Sequence, residues 1–406
     1  MKIVVITNLY PPISRGGAER VAQRIVGELV RRRHNVVVIS SMPLCDGAMG
    51  PEVRETVGET VYRFYPLNLY HVLKDFKFPY LVRALWHLID LFSASSAKRI
   101  ERILSEEKPD VVLTHNLKGI GLRVPRAIQR LGLPWIHTLH DVQLSVPSGL
   151  LIYGHRLNPM EMILRPFYEA AVRGVFGKPD LVISPSKFLA DFYLARGFFR
   201  DVALRVMANP APEREFSTRG PRQPGPLRIL VASQLERHKG ILEILEAINL
   251  LEFPLELHVA GDGTLAQLIQ SRSKEDKRVI YHGFVSSSSL GQLFEIVDTV
   301  VVPSKCYENS PTIIYESLQS GLPVIASNIG GVGELIKDGE HGFLVEPGSA
   351  EALATAIRKL AAAKDEFRAK SDDIRAASFR YSLKSYVDNL EGAINEIKGR
   401  KKPHNP

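Results

Sequence analysis

Two carboxylates, Glu308 and Glu316, have seven residues between them in the stretch Tyr307-Glu308-Asn309-Ser310-Pro311-Thr312-Ile313-Ile314-Tyr315-Glu316. An ionised carboxylate only accepts hydrogen bonds, so both suit sugar or ribose hydroxyls. Ser310 is a favourable N-cap and Pro311 a favourable first helical residue, and Gly321 is a natural stop. The spacing therefore predicts a helix of about ten residues, followed by a buried strand over Leu322–Ala326. Its first turn, with Asn309, Ser310, Pro311 and Thr312, would aim unpaired N–H groups and a partial positive charge at the Glu308 loop. That setting suits an anion, and a diphosphate is the obvious candidate. Glu316 would lie roughly 8 Å along the axis from Pro311. By spacing alone, a loop glutamate and a solvated helix glutamate are the favoured explanation of the pair. In either reading neither carboxylate belongs to the apolar core.

Further groups capable of chemistry precede this stretch. Gly16 and Gly17 sit in a turn with Arg15, between a strand and a helix, where paired glycines permit close backbone approach to a ligand or merely a tight turn. His137, His140 and Asp141 end the run Pro134-Trp135-Ile136-His137-Thr138-Leu139-His140-Asp141. The odd offset along a strand puts the two histidines on opposite faces and disfavours joint metal ligation. Lys239 follows Gln234-Leu235-Glu236-Arg237-His238, and Gly261-Asp262-Gly263-Thr264-Leu265-Ala266 fits the dinucleotide pattern G-x-G-x-x-A. The acidic residue expected at the end of the next strand is missing, since Val279–Val285 carries His282 instead.

The elements that hold these groups alternate strand and helix twice over. Residues 1–209 read as one Rossmann-like domain and 227–378 as another, joined by a Pro- and Gly-rich linker at 210–226. A final helix at 379–398 carries the stripe Leu383, Tyr386, Val387, Leu390, Ile394 and Ile397. Between them, residues 70–104 mix aromatic and aliphatic side chains with Lys74, Lys77, Arg83, Lys98, Arg99 and Arg102. That stretch reads as a helix pair packed on the sheet, or as a surface lying on a membrane. Arg31-Arg32-Arg33 equally fits such a surface or a dipole-compensating helix end.

Composition narrows the classes. The 406 residues are 45% hydrophobic and 24% charged, as in ordinary soluble domains. Two distant cysteines, Cys45 and Cys306, make neither a disulfide framework nor a metal cluster. No apolar run reaches the ~18 residues of a spanning helix, and the N-terminus lacks the pattern of a signal peptide. A cytoplasmic protein is expected, peripheral at the inner membrane face if it meets lipid. The net charge of +8 suits phosphorylated substrates or anionic lipid, and no nucleic-acid module accompanies it.

The Glu308/Glu316 pair is followed by Ser320-Gly321-Leu322-Pro323-Val324-Ile325-Ala326-Ser327, Gly330-Gly331-Val332-Gly333-Glu334 and Asp338-Gly339-Glu340-His341-Gly342-Phe343-Leu344-Val345. This ordered run resembles the donor site of the retaining glycosyltransferases of family 4. The resemblance spans nearly the whole chain and is strongest over 227–346. It implies the GT-B fold, two Rossmann-like domains facing across a cleft with the last helix crossing back onto the first. It also implies transfer of a hexose from a nucleotide sugar to an acceptor hydroxyl, on a glycan or lipid-linked glycan, with retained configuration.

Residue by residue, the resemblance gives Glu308 the donor sugar and Glu316 the ribose. It gives Lys239 the diphosphate, and Gly16 and Gly17 the donor phosphates or the acceptor. Gly261 falls at the donor side, and His140 at the donor sugar or the acceptor. No cofactor and no metal are implied, because the nucleotide-diphosphate sugar is itself a substrate and no Asp-x-Asp motif stands near the site. One departure is clear: Gln234 replaces the arginine usual five residues before the lysine, leaving Arg237 or Arg15 to supply charge. A glycosidase using both carboxylates, an epimerase on the same fold and a non-catalytic sugar-nucleotide sensor are the competing readings.

Overall fold

The computed structural model describes residues 1–14, 16–44, 53–154, 159–212 and 225–401. Arg15, Cys45 and most of the expected linker lie outside them. The chain forms two compact units, Met1–Leu150 with Arg156–Pro210 and Leu383–Pro406, and Leu151–His155 with Ala211–Ser382.

The first unit is built on an eight-stranded sheet in the order β3-β4-β2-β1-β5-β6-β7-β8. Its strands are β1 (Lys2–Ile6), β2 (Asn35–Ser41), β3 (Val53–Val57), β4 (Glu59–Phe64), β5 (Val111–Thr114), β6 (Trp135–Thr138), β7 (Leu181–Ser184) and β8 (Ala203–Val206). All pair in parallel except β3 with β4. Parallel strands covered on both faces must be apolar throughout, and β1 and β5 are buried almost end to end. The helices are α1 (Gly17–Arg31), α2 (Tyr80–Phe92), α3 (Ala94–Glu107), α4 (Val124–Arg130), α5 (Pro159–Phe176) and α6 (Lys187–Ala195).

The second unit has six parallel strands in the order β11-β10-β9-β12-β13-β14. These are β9 (Leu227–Ala232), β10 (Leu255–Ala260), β11 (Val279–Gly283), β12 (Thr299–Val302), β13 (Val324–Ser327) and β14 (Gly342–Val345). Strand order reverses between β9 and β12, so the loops leaving those two strands flank a topological switch point, where open α/β sheets bind ligands. These loops carry Gln234–Lys239 and Ser304–Asn309. Helices α7 (Ile241–Asn249), α8 (Ala266–Glu275), α9 (Ser287–Ile296), α10 (Thr312–Gln319), α11 (Ala350–Ala362), α12 (Lys364–Ala369) and α13 (Ser371–Ser378) complete this unit.

The last helix, α14 (Leu383–Lys401), belongs to the first unit. It begins later than residue 379 because Phe379–Tyr381 forms a 3₁₀ turn and Ser382 is extended. Its stripe of Leu383, Tyr386, Val387, Leu390, Ile394 and Ile397 is buried with Val21, Ile25 and Leu29 of α1. Arg31 and Arg32 pair with Glu28, and Arg32 also reaches Asp388 and Glu391 at 2.6 and 2.8 Å. The arginine run therefore anchors α1 to α14. One segment contradicts the sequence boundary: residues 151–154 belong to the second unit, where Tyr307 N–H donates to Leu151 O at 2.9 Å and Tyr153 N–H donates to Lys305 O at 2.7 Å. Backbone pairing of so short a stretch leaves no signal in hydrophobic pattern.

Residues 70–104 do form a pair of helices, α2 against α5 and α3 against α4, although only one face of α2 is covered. Trp86 is fully buried, stacked on Tyr70, and donates from Nε1 to the Tyr70 carbonyl at 2.7 Å.

Candidate functional site

At the switch point of the second unit, the Lys239 Nζ lies 2.6 Å from Glu308 Oε1. Ser304 Oγ donates to the same oxygen at 2.9 Å, and Cys306 Sγ approaches it at 3.4 Å. Both charged side chains are largely buried, 20% and 17% exposed. Burial opposes both charges, yet the pair wins: Lys239 is held above its ordinary pKa and Glu308 below its own. Burial, followed by the Glu308 charge, pushes the Cys306 thiol up to about 12, so this cysteine is a neutral donor rather than a nucleophile. The sequence reading treated Lys239 and Glu308 as separate groups. The fold makes them one charge-compensated unit.

Glycines set the backbone around this pair. Gly330 adopts φ +63°, and a Cβ there would come 2.1 Å from the Glu308 carbonyl oxygen. The Gly331 N–H donates to that carbonyl at 2.7 Å, so the Gly330-Gly331 step clasps the Glu308 backbone. Gly240, φ +75°, sits against the Pro303 carbonyl, where a Cβ would lie 1.8 Å away. Such positions admit only glycine. Gly261, φ +144°, is packed in the same manner against the Ser233 carbonyl, and Gly263 against Leu235. Both glycines of the G-x-G pattern thus seat the β10–α8 turn on the β9 loop, where Thr264 Oγ1 donates to Glu236 at 2.6 Å. Gln234 and Arg237 are exposed on that loop.

The α10 terminus differs by one residue from expectation. Pro311 is the N-cap, at φ −68° and ψ 119°, and the helix runs from Thr312 to Gln319. Ser310 is not the N-cap, and its hydroxyl is buried against the Tyr315 hydroxyl. Asn309, Pro311 and Thr312 are half-buried at the head of the helix. Glu316 is buried at 6% exposure among Tyr315, Ser317 and Leu318, so the picture of a solvated helix glutamate is wrong. A tertiary contact surface, invisible in the spacing, covers it.

In the first unit Gly16 is the N-cap of α1, and the Glu19 carboxylate accepts from its N–H at 2.9 Å. Neither Gly16 nor Gly17 has a positive φ, and a Cβ on Gly17 would meet nothing within 4 Å. The turn itself does not demand glycine there.

His140 lines a recess with His87, Asp90, His115, Lys118, Asp141 and Tyr168. Strand β6 ends at Thr138, so His137 and His140 both border this recess, against the expectation of opposite faces. That expectation failed because it extended the strand two residues too far. Among the described residues no three metal-ligating side chains converge. His140 Nε2 lies 2.8 Å from His115 Nδ1, with the rings stacked at 5.1 Å, and His137 Nδ1 lies 2.8 Å from Thr114 Oγ1. Burial lowers the His140 pKa to about 4 and that of His137 to about 3, so both rings are neutral. Burial raises Asp90 to about 7 and Asp141 to about 6. Sequence reasoning passed over His115 and Asp90. His115 had a signal: it follows β5 as His140 follows β6, and those strands are neighbours.

Two Rossmann-like units, each built on a largely parallel sheet, make the architecture of the GT-B fold. The description Glycosyl transferase 4-like domain matches residues 16–210, and Glycosyl transferases group 1 matches residues 213–375. The chain belongs to the group 1 glycosyltransferases of the family 4 type. An uncharacterized glycosyltransferase of Methanocaldococcus jannaschii is 25% identical over 380 residues, covering 89% of each chain. The glycogen synthase of Mycobacterium tuberculosis is 25% identical over 372 residues, 89% of this chain and 86% of the relative. Among solved structures, sucrose-phosphate synthase from Thermosynechococcus elongatus superposes with TM-score 0.73 at 16% identity, over 99% of this chain and 100% of that one. Anabaena HepE, solved in complex with UDP, gives 0.71 at 20% identity, over 98% and 100%.

Proposed function

We propose that this glycosyltransferase moves a hexose from a nucleotide-diphosphate sugar to a hydroxyl of a glycan or lipid-linked glycan, with retention of configuration and no metal, in cell-surface polysaccharide or glycolipid synthesis. The observation that carries the donor half is the buried Lys239–Glu308 pair at the β9/β12 switch point, beside the α10 N-terminus. HepE, of the same fold, holds UDP, and a further structure of it holds UDP-glucose, which supports a nucleotide-sugar donor.

The residues account for the chemistry as follows. Breaking the sugar–phosphate bond puts negative charge on the leaving diphosphate. Lys239, kept cationic by Glu308, and the N–H groups at Thr312 and beyond offer a preorganised positive field for it. Glu308 supplies the complementary negative charge toward the developing oxocarbenium ion, and Glu316 accepts from a ribose hydroxyl. His140, neutral and half-buried, acts as a hydrogen-bond donor or acceptor rather than as a cation. The acceptor proton goes to a leaving-phosphate oxygen, so no protein base is required. Gly17 leaves space for a phosphate or the acceptor, beside Gly16 at the head of α1.

A panel of UDP-, GDP- and ADP-sugars, read by nucleotide release with and without acceptor, tests this reading. Acceptor-dependent release from one donor supports transfer. Isomerised donor without acceptor would indicate an epimerase, and tight donor binding with no turnover on any acceptor a sensor.

A further inference from the structure

Helix α2 leaves one complete face uncovered. Leu81, Leu85, Leu88 and Phe92 recur at helical spacing along it and are 80%, 51%, 54% and 51% exposed, with Tyr80 beside them. The neighbouring α5, packed against α2, adds exposed Ile163, Leu164 and Phe167. Single exposed leucines are common on any surface, but a continuous apolar face across two helices marks an interaction site.

Two features say what covers it. The rim is cationic: exposed Lys74 and Lys77 precede α2, and Arg123 donates to the Phe92 carbonyl at its end. The only carboxylate of α2, Asp90, points away and is buried, while Asp75 before the helix is buried and paired with Arg83 and Lys118. An apolar face with a basic rim complements an anionic bilayer, where the side chains enter the acyl boundary and the cations meet headgroups. Moreover, α2 lines the His140 recess from its opposite face through His87 and Asp90, and α5 contributes Tyr168 to it.

We propose that the α2–α5 face docks on an anionic lipid surface and so holds the His140 recess, one helix layer behind that face, near the bilayer where a lipid-linked acceptor presents its sugar. The acceptor clause rests on the function proposed above, whereas the docking itself does not. No helix among the described residues is long and apolar enough to cross a membrane, so the contact is peripheral.

The test is co-sedimentation of the full chain with phosphatidylcholine–phosphatidylglycerol vesicles and with phosphatidylcholine alone. Binding is expected on the anionic vesicles and should fall as salt rises. A Leu81→Glu/Leu85→Glu/Phe167→Glu variant should lose about tenfold or more in vesicle affinity, with its melting temperature unchanged. No binding to the anionic vesicles at low salt, or equal binding by the triple variant, would overturn the proposal. So would a concentration-dependent dimer in sedimentation velocity that the triple variant abolishes in a chain that ignores vesicles. Failure of the donor panel would leave vesicle binding intact, which separates this inference from the proposed reaction.

Discussion

Removing the Glu308 carboxylate should damage stability and catalysis together, and the two losses can be separated. At 2.6 Å the Lys239–Glu308 attraction is on the order of 6 kcal/mol at an effective dielectric of about 20, before the cost of desolvating both groups. Deleting one partner of a fully buried pair typically costs about 3–5 kcal/mol. With a fifth of the lysine and a sixth of the glutamate still exposed, about 2–3 kcal/mol is the better expectation for Glu308→Ala. Glu308→Gln keeps an acceptor for Lys239, Ser304 and Cys306 and should lose about half of that.

A UDP titration then provides the diagnostic. Stranding Lys239 leaves it in want of an anion, so UDP should raise the melting temperature of Glu308→Ala more than that of the unaltered protein. Turnover should nevertheless fall by about 10²-fold or more, because the negative charge facing the reacting sugar is gone. Urea denaturation, differential scanning fluorimetry with UDP and donor kinetics measure the three quantities. A Glu308→Ala protein as stable as the original, with an unchanged UDP shift, would refute the coupling. Near-normal kcat would refute the placement of Glu308 at the reacting sugar.

Four other outcomes are expected. Gly330→Ala forces a Cβ into the Glu308 carbonyl at positive φ and should cost about 2 kcal/mol or more by urea denaturation, with unchanged stability counting against the clasp. Asp90 holds its proton with a pKa of about 7, above its unfolded value, so its contribution is present at low pH and lost as pH rises from about 4 through about 7. Asp90→Asn should flatten that decline, by up to about 4 kcal/mol across the window, and an unflattened pH–stability curve would contradict it. Gln234→Arg should tighten UDP binding in calorimetry by roughly 1 kcal/mol, as a charge-assisted bond replaces a neutral one. Glu316→Ala should raise the donor KM with little change in kcat, and a kcat loss equal to that of Glu308→Ala would end the division of labour between them.

The alternation of buried strands with helices, the stripe on the last helix and the ordered run from Glu308 to Val345 are local patterns, and the sequence alone determined them. Period and composition act over a few residues, so they survive without knowledge of what packs where. The ion pair between Lys239 and Glu308, the pairing of residues 151–154 with the loop before Glu308, and the His115–His140 contact were decided only in three dimensions. Each joins segments far apart in the chain, the ion pair and the histidine contact through parallel strands that bring their loops to one edge. The burial of Glu316 and the exposure of the α2 stripe were also beyond reach. A helical period says which residues share a face, but only the tertiary packing decides which faces are covered, and α2 was left with its most apolar one in the open.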